Sequence, residues 1–160
     1  MIRGASSLRA YEKFEPMENQ SLVPRWCDNH FGIDQGVFRD YRFWQRCGGR
    51  GIWITPAGFQ LPADLNLAAL GMLVMRKPPP QGKPTSVFLQ RFGGTAFRNV
   101  YVLTEEEALS FLKREPLSIK AVDDARGYAL VRTANRIVGC GRIADGLLHS
   151  EIPKHWLAEL

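Results

Sequence analysis

The sequence has few cysteines, few histidines and no long apolar run. Its three cysteines are an odd number and lack the spacing of a disulfide framework. No apolar stretch reaches the roughly 20 residues of a membrane-spanning helix, since Asn66 and Gly71 interrupt the run from Leu65 to Met75. The first residues lack the apolar centre of a signal peptide. We therefore expect a cytoplasmic protein without disulfides and without a membrane partner.

Residues suited to metal binding or catalysis are also scarce. Cys27 and His30 stand in a C-x2-H arrangement, which is half a zinc site, but no second close pair completes the four ligands of structural zinc. Cys140 between two glycines could act as a nucleophile with His149 or His155 as its base, although a cysteine in an apolar strand is more often inert. No glycine-rich nucleotide loop follows a predicted strand. We expect no metal, no cofactor and no enzymatic activity.

Basic side chains are in excess. The chain has 21 Lys and Arg against 16 Asp and Glu, which gives a net charge of +5. A basic surplus favours polyanionic partners such as nucleic acid. Arginine predominates over lysine, and its guanidinium group suits bidentate phosphate contacts and base stacking.

A proline-rich segment divides the chain. Four prolines and a glycine fall within Lys77–Pro84, and such a segment cannot continue a helix or a central strand. We interpret residues 78–83 as a linker. It would join an N-terminal domain, residues 1–77 with about 20 loose residues at its start, to a C-terminal domain, residues 84–160.

Local patterns predict a small α/β arrangement in the N-terminal half. Gly32 is the expected stop of the first helix, and Asp34 the expected N-cap of the second. The predicted elements are helices over Pro24–His30, Asp34–Tyr41 and Pro62–Leu70, a hairpin of Tyr41–Arg46 with Gly51–Thr55, and a strand over Gly71–Arg76.

The C-terminal half predicts a mixed domain dominated by antiparallel strands, large enough to close a small barrel. Thr104 and Glu107 form a capping box at the start of its second helix, and Pro116 is expected to end that helix. The predicted elements are helices over Thr85–Phe92 and after Thr104, and strands over Asn99–Leu103, Leu117–Val122, Gly127–Arg132, Arg136–Arg142 and Gly146–Lys154.

An ordered series of short motifs carries a family resemblance. Residues 84–154 resemble the PUA-like domain that follows the catalytic domain of ribosomal-RNA cytosine-5 methyltransferases and that stands alone in small archaeal proteins. Upstream, Phe31-Gly32-Ile33 and Gly51-Ile52-Trp53-Ile54 resemble the small α/β segment before the barrel in the same proteins. The motifs of the C-terminal half are Leu89-Gln90-Arg91-Phe92-Gly93, Asn99-Val100, Glu105-Glu106-Glu107-Ala108, Phe111-Leu112, Gly127-Tyr128, Val131-Arg132, Gly139-Cys140-Gly141 and Ile152-Pro153-Lys154.

The resemblance implies an α+β protein, a small α/β N-terminal domain followed by a PUA-like β-barrel, that binds RNA. Its expected role is in rRNA or tRNA modification or in ribosome assembly, beside a modification enzyme or an assembly factor. The related methyltransferases need a whole methyl-donor domain, for which 160 residues leave no room. In PUA domains the RNA lies against the first helix, the next strand and the last strand. Carried onto this chain, that surface comprises Gln90, Arg91, Arg98, Asn99, Arg142, Ser150 and Lys154.

Several alternatives stay open at this point. The domain could be a protein-interaction module of a ribonucleoprotein, or a small enzyme acting on a modified nucleoside. Gly139 and Gly141 could admit an RNA backbone or allow a sharp barrel corner. Phe43, Trp44 and Trp53 could stack on bases or belong to the core.

Overall fold

Two β-sheets form the framework of the fold. The structure is a computed structural model that describes residues 13–48, 51–63, 67–120 and 127–159. Within these ranges the strands are β1 Phe14–Pro16, β2 Tyr41–Arg46, β3 Ile52–Pro56, β4 Met72–Met75, β5 Val100–Val102, β6 Leu117–Ser118, β7 Gly127–Arg132, β8 Ile137–Ala144 and β9 Leu147–Ser150. The first sheet has the order β1-β2-β3-β4 and is antiparallel throughout, and the second has the order β5-β7-β8-β9-β6.

Three α-helices pack against these sheets in the described part of the chain. They are α1 Leu22–Phe31, α2 Ser86–Phe92 and α3 Glu105–Leu112. Short 3-10 helices occupy Gln35–Phe38, Gly93–Thr95 and Lys154–Glu159. The mixture of helices and sheets agrees with the predicted α+β class.

Local signals set the ends of the first helix. Gly32 takes a left-handed conformation with φ of 70°, and its N–H donates to the Asp28 carbonyl at 2.9 Å. This is the predicted stop, because glycine adopts positive φ without steric cost. Val23, Cys27 and Phe31 recur at helical spacing and are at most 1% exposed, so one side of α1 faces the core.

The predicted helix over Asp34–Tyr41 is wrong in type and length. The Asp34 carboxylate accepts a hydrogen bond from the Gly36 N–H at 2.6 Å, which supports a tight turn and a 3-10 helix of only four residues. The chain then enters β2 at Tyr41. In the predicted helix Pro62–Leu70, residues 64–66 lie outside the described residues, and the described residues on either side are not helical.

The predicted hairpin of β2 and β3 is confirmed, and so is the strand that becomes β4. Phe43 is 1% exposed and Trp44 is 3% exposed, and the two side chains belong to two different core clusters. Trp53 is half-buried and packs edge-on against Phe14. These aromatic rings therefore belong to the core, which was the alternative to base stacking.

In the C-terminal half, most helices and strands begin within a residue or two of the predicted position, but several end earlier or later than predicted. The α3 helix ends at Leu112, before Pro116, and Arg114 reverses the chain with φ of 65°. The strand predicted over Leu117–Val122 has only two residues in the structure, and 121–122 lie outside the described residues. The last strand is shorter than expected, so Lys154 begins a 3-10 helix.

The second sheet curls into a half-barrel. It is not closed within the described residues, since β5 and β6 lie at opposite edges. On one side of this sheet, a core cluster contains Ala129 and Val131 of β7 with Ala108 and Phe111 of α3. We call this side of the sheet the α3 face.

The opposite side of the second sheet joins the first sheet in a single core. Leu130 of β7 and Cys140 of β8 share one cluster with Phe88 of α2, Phe31 of α1 and Phe43 of β2. We call this side of the molecule, including the exposed surface of α1, α2 and the residues that follow α2, the α1–α2 face. The boundary at residues 78–83 stays a prediction, but the segments on its two sides pack against each other.

The capping box that begins α3 offers a test of the local folding rules. Thr104 Oγ1 accepts from the Glu107 N–H at 3.1 Å, and the Glu107 carboxylate accepts from the Thr104 N–H at 2.9 Å. Thr104→Ala should lower the free energy of unfolding by about 1 kcal/mol, because the Glu107 N–H loses the hydroxyl that accepts its hydrogen bond. Urea denaturation measures this. Ser110→Ala is the control, since its hydroxyl makes no hydrogen bond with the described residues, and an equal loss there would contradict the capping role.

Candidate nucleic-acid interface

The segment after α2 is tied to the end of α1. The N–H groups of Phe97 and Arg98 both donate to the Phe31 carbonyl, each at 3.0 Å. Asn99 takes a positive φ of 51°, and its Nδ2 donates to the His30 carbonyl at 2.7 Å. Carbonyls in the last turn of a helix lack partners within the helix, so residues 97–99 satisfy α1 and are themselves fixed.

A second link joins α1 to the sheet. The His30 Nε2 atom lies 2.7 Å from the Tyr128 carbonyl oxygen and donates to it, because a carbonyl can only accept. The Trp26 ring stacks on His30 with centroids 5.1 Å apart. The Tyr128 side chain packs against the core of the α1–α2 face. Tyr128 lies opposite Arg142 in the β7–β8 register, and directly opposite residues share a face. Arg142 therefore lies on the α1–α2 face.

Arg91 and Arg98 are exposed cations on this face. Arg91 donates to the Tyr41 hydroxyl at 3.2 Å. Arg98 Nη1 lies 3.4 Å from the Asp28 and Asn29 carbonyl oxygens, at the negative end of α1. Neither guanidinium forms an ion pair with a carboxylate of the described residues, so both positive charges are available to an anion.

The side chains of Gln90 and Asn99 donate hydrogen bonds to two different elements of the fold. Gln90 Nε2 donates to the Val138 carbonyl at 2.9 Å and so connects α2 to β8. The Asn99 amide is engaged by α1 through His30. Both side-chain amides therefore already have partners within the protein.

Arg142 is already neutralised by an acid. Its Nε lies 3.1 Å from one Glu151 oxygen, while Lys83 Nζ lies 3.0 Å from the other. Burial raises the pKa of Glu151, but hydrogen bonds and attraction from Lys83 and then Arg142 outweigh burial and hold the pKa below its ordinary value. The group is a three-residue ion network with one surplus positive charge.

The last two predicted residues are placed differently. Ser150 is 6% exposed, and its Oγ accepts from the Ile152 N–H at 3.3 Å. Its hydroxyl does not face the surface, and we leave it out of the interface proposed below. Lys154 is exposed, and its side chain forms no hydrogen bond or ion pair with the described residues.

At both glycines of β8, other atoms of the protein fill the space that a side chain would need. Gly139 has φ of 153°, and a Cβ there would overlap Ser86 of α2 and Ile152. A Cβ on Gly141 would lie 2.7 Å from Leu148 and 2.9 Å from Val131. Ser86 Oγ also accepts from the Cys140 N–H at 3.0 Å. Close packing of α2 on β8 therefore accounts for Gly139, without an approaching RNA backbone.

The buried thiols are poor candidates for chemistry. Cys27 and Cys140 are at most 1% exposed, and burial raises the pKa of each thiol to about 12. At neutral pH both cysteines therefore remain protonated thiols. The nucleophilic form of cysteine is the thiolate, which neither residue forms at this pH. The described residues contain no cluster of three His, Cys, Asp or Glu side chains able to hold a metal ion.

Comparison with known families finds a similarity between the C-terminal part of the chain and a PUA-like RNA-binding domain. Residues 98–158 match the family model of the methyltransferase RsmF PUA domain, and the predicted resemblance to the C-terminal region of rRNA methyltransferases is confirmed. No curated protein matches the chain. The matched segment begins at Arg98, so α1 and α2 lie outside it.

The described helices are all too short or too polar to cross a membrane. The longest, α1, has ten residues.

The packing account of Gly139 predicts a stability effect. Gly139→Ala should lower the free energy of unfolding by about 1–3 kcal/mol, because the added methyl overpacks the contact of α2 with β8. Gly58→Ala is the control, since no atom of the described residues other than Gly58 and its two chain neighbours lies within 4 Å of the added group. Thermal denaturation of both variants gives the comparison, and a Gly139→Ala protein as stable as wild type would refute the packing account.

The ion network predicts a pH dependence. The folded-state pKa of Glu151 is lowered, so its stabilisation is present above the ordinary value of 4.5 and is lost as the pH falls through the folded-state pKa. Glu151→Gln should therefore lower the free energy of unfolding at pH 7 by about 1 kcal/mol, an amount usual for partly exposed pairs, and the difference from wild type should shrink in acid. Urea denaturation at pH 7 and below pH ~4 tests this. Glu106→Gln, an exposed acid without an ion pair among the described residues, should show no such trend.

Proposed function

We propose that this protein binds structured rRNA or tRNA through the α1–α2 face and does not itself catalyse a reaction. The observation that carries the proposal is the match of residues 98–158 to a PUA domain, since PUA domains are RNA-binding modules. The net charge of +5 suits a polyanionic partner.

The proposed interface consists of exposed cations. Arg91 and Arg98 are exposed beside the α1–α2 face without carboxylate partners in the described residues. Guanidinium groups bind phosphate oxygens in pairs. Lys154 would add a phosphate contact beyond the last strand, and Arg142 would contribute through the surplus charge of its network with Lys83 and Glu151.

The proposed setting is rRNA or tRNA modification or ribosome assembly in the cytoplasm. The family model that matches is the PUA domain of an rRNA methyltransferase type. The protein would act as an adaptor or as the substrate-recognition part of a larger machine, together with a modification enzyme or an assembly factor.

One observation favours a second candidate function, binding to another protein. Val102 of the edge strand β5 is 67% exposed and Leu109 of α3 is 46% exposed. Exposed apolar side chains at a sheet edge suit a protein contact. This candidate predicts little salt-dependent affinity for RNA.

The test is RNA affinity across a salt series. The logarithm of affinity falls with the logarithm of salt with a slope of about −0.7 to −0.9 per neutralised phosphate. We expect the double variant Arg91→Gln, Arg98→Gln to bind purified rRNA and tRNA more weakly and to flatten the slope by about 1 to 2. Fluorescence anisotropy at 50–300 mM salt measures both quantities.

A matched control removes two charges elsewhere. Lys113 follows α3, and Lys120 follows Ile119, which packs in the α3 cluster. Both lysines are exposed and lack ion pairs with the described residues. If Lys113→Gln, Lys120→Gln flattens the slope as much as the arginine variant does, the α1–α2 face is not the RNA site. Absence of wild-type binding at ~150 mM salt would contradict RNA binding altogether.

A further inference from the structure

Phe97 is a large aromatic side chain held in solvent. It is 68% exposed, whereas Phe31 and Phe88 are fully buried. An isolated exposed apolar side chain is common and needs no explanation by itself. Phe97 calls for an explanation because its neighbours hold the exposed ring in a fixed position.

The backbone around Phe97 is rigidly attached to α1. The Phe97 N–H donates to the Phe31 carbonyl at 3.0 Å, and the next residue donates to the same oxygen. Three ring carbons of Phe97 lie within 2.7 Å of the point that a Cβ on Gly32 would occupy. The ring thus packs in the space left by the missing side chain of Gly32. It is held at that position although most of its surface stays exposed.

A guanidinium accompanies the ring. The Arg98 Cζ atom lies 5.1 Å from the Phe97 ring centroid, within cation–π distance. Arg98 also contacts the carbonyl end of α1 and has no carboxylate partner in the described residues. A planar apolar surface and a positive charge therefore stand side by side.

We propose that Phe97 and Arg98 form a stacking site for one unpaired base of the bound RNA. The proposal rests on the proposed function and specifies its substrate class as RNA with an unpaired nucleotide at the contact. Unpaired bases stack on aromatic rings and on guanidinium planes, and the Arg98 charge attracts the adjoining phosphate. A paired base offers no free face to such a site.

The site also assigns a role to the N-terminal half. Phe97 precedes the segment matched by the PUA family model, which begins at residue 98. Its support comes from Phe31 and Gly32, on the other side of the proline-rich segment. The stacking site therefore exists only where the two halves of the chain meet.

The probe is a short RNA hairpin with a 2-aminopurine in a two-nucleotide single-stranded extension, compared with the same hairpin without the extension. Wild type should bind the extended hairpin about tenfold more tightly, and 2-aminopurine fluorescence should fall on binding as the base stacks. Phe97→Leu should remove most of the preference and of the quenching, while its affinity for the blunt hairpin and its salt slope stay as in wild type. Phe97→Trp should keep both the preference for the extended hairpin and the quenching of 2-aminopurine fluorescence.

Val102→Ala is the matched control, since Val102 is 67% exposed on the strand that follows, and it should behave as wild type. If Phe97→Leu retains the preference and the quenching, the stacking site is overturned while RNA binding stands. The stacking site is also overturned if Phe97→Leu keeps its melting temperature but weakens binding to both hairpins equally. If wild type binds neither hairpin at ~150 mM salt, the proposed function fails together with the stacking site.

Discussion

The packing of α2 between strands of both sheets is the constraint on which the rest of the structure depends. Thr85, its N-cap, donates its hydroxyl to the Leu73 carbonyl of β4 at 2.7 Å and receives the Phe88 N–H. At the next residue, Ser86 accepts the Cys140 N–H of β8 at 3.0 Å. Phe88 is fully buried in the shared core. A helix of seven residues is too short to be stable alone, so these tertiary contacts hold it.

This shared core explains why the proposed RNA surface is composite. The PUA-like segment supplies Arg98 and Arg142, whereas the end of α1 and the following Gly32 supply the carbonyls and the glycine that position residues 97–99. Because α1 and α2 both pack on one side of the curled sheet while α3 packs on the other, the domain has two chemically different faces. Arg91 and Arg98, which have no carboxylate partner among the described residues, lie on the first of them, where their charge can attract phosphate.

Features determined by neighbouring residues could be predicted from the sequence, and features determined by distant ones could not. The capping box at Thr104 and the stop at Gly32 depend on a few adjacent positions, and both are confirmed. The network of Arg142 with Glu151 and Lys83 joins residues up to 68 positions apart, and no local pattern predicts it. The sequence signal for Phe97 was equally weak, because an aromatic residue before a strand is ordinarily a core residue.

The central claim is that RNA contacts the α1–α2 face, and hydrogen–deuterium exchange with and without RNA tests it most directly. Amide exchange reports local opening of each segment. The account predicts slower exchange on RNA binding at the end of α1, residues 28–32, and at residues 90–99, with no change in α3 over Glu105–Leu112. Protection confined to α3 and the edge strand β5 would contradict it and would place the contact on the opposite side of the sheet.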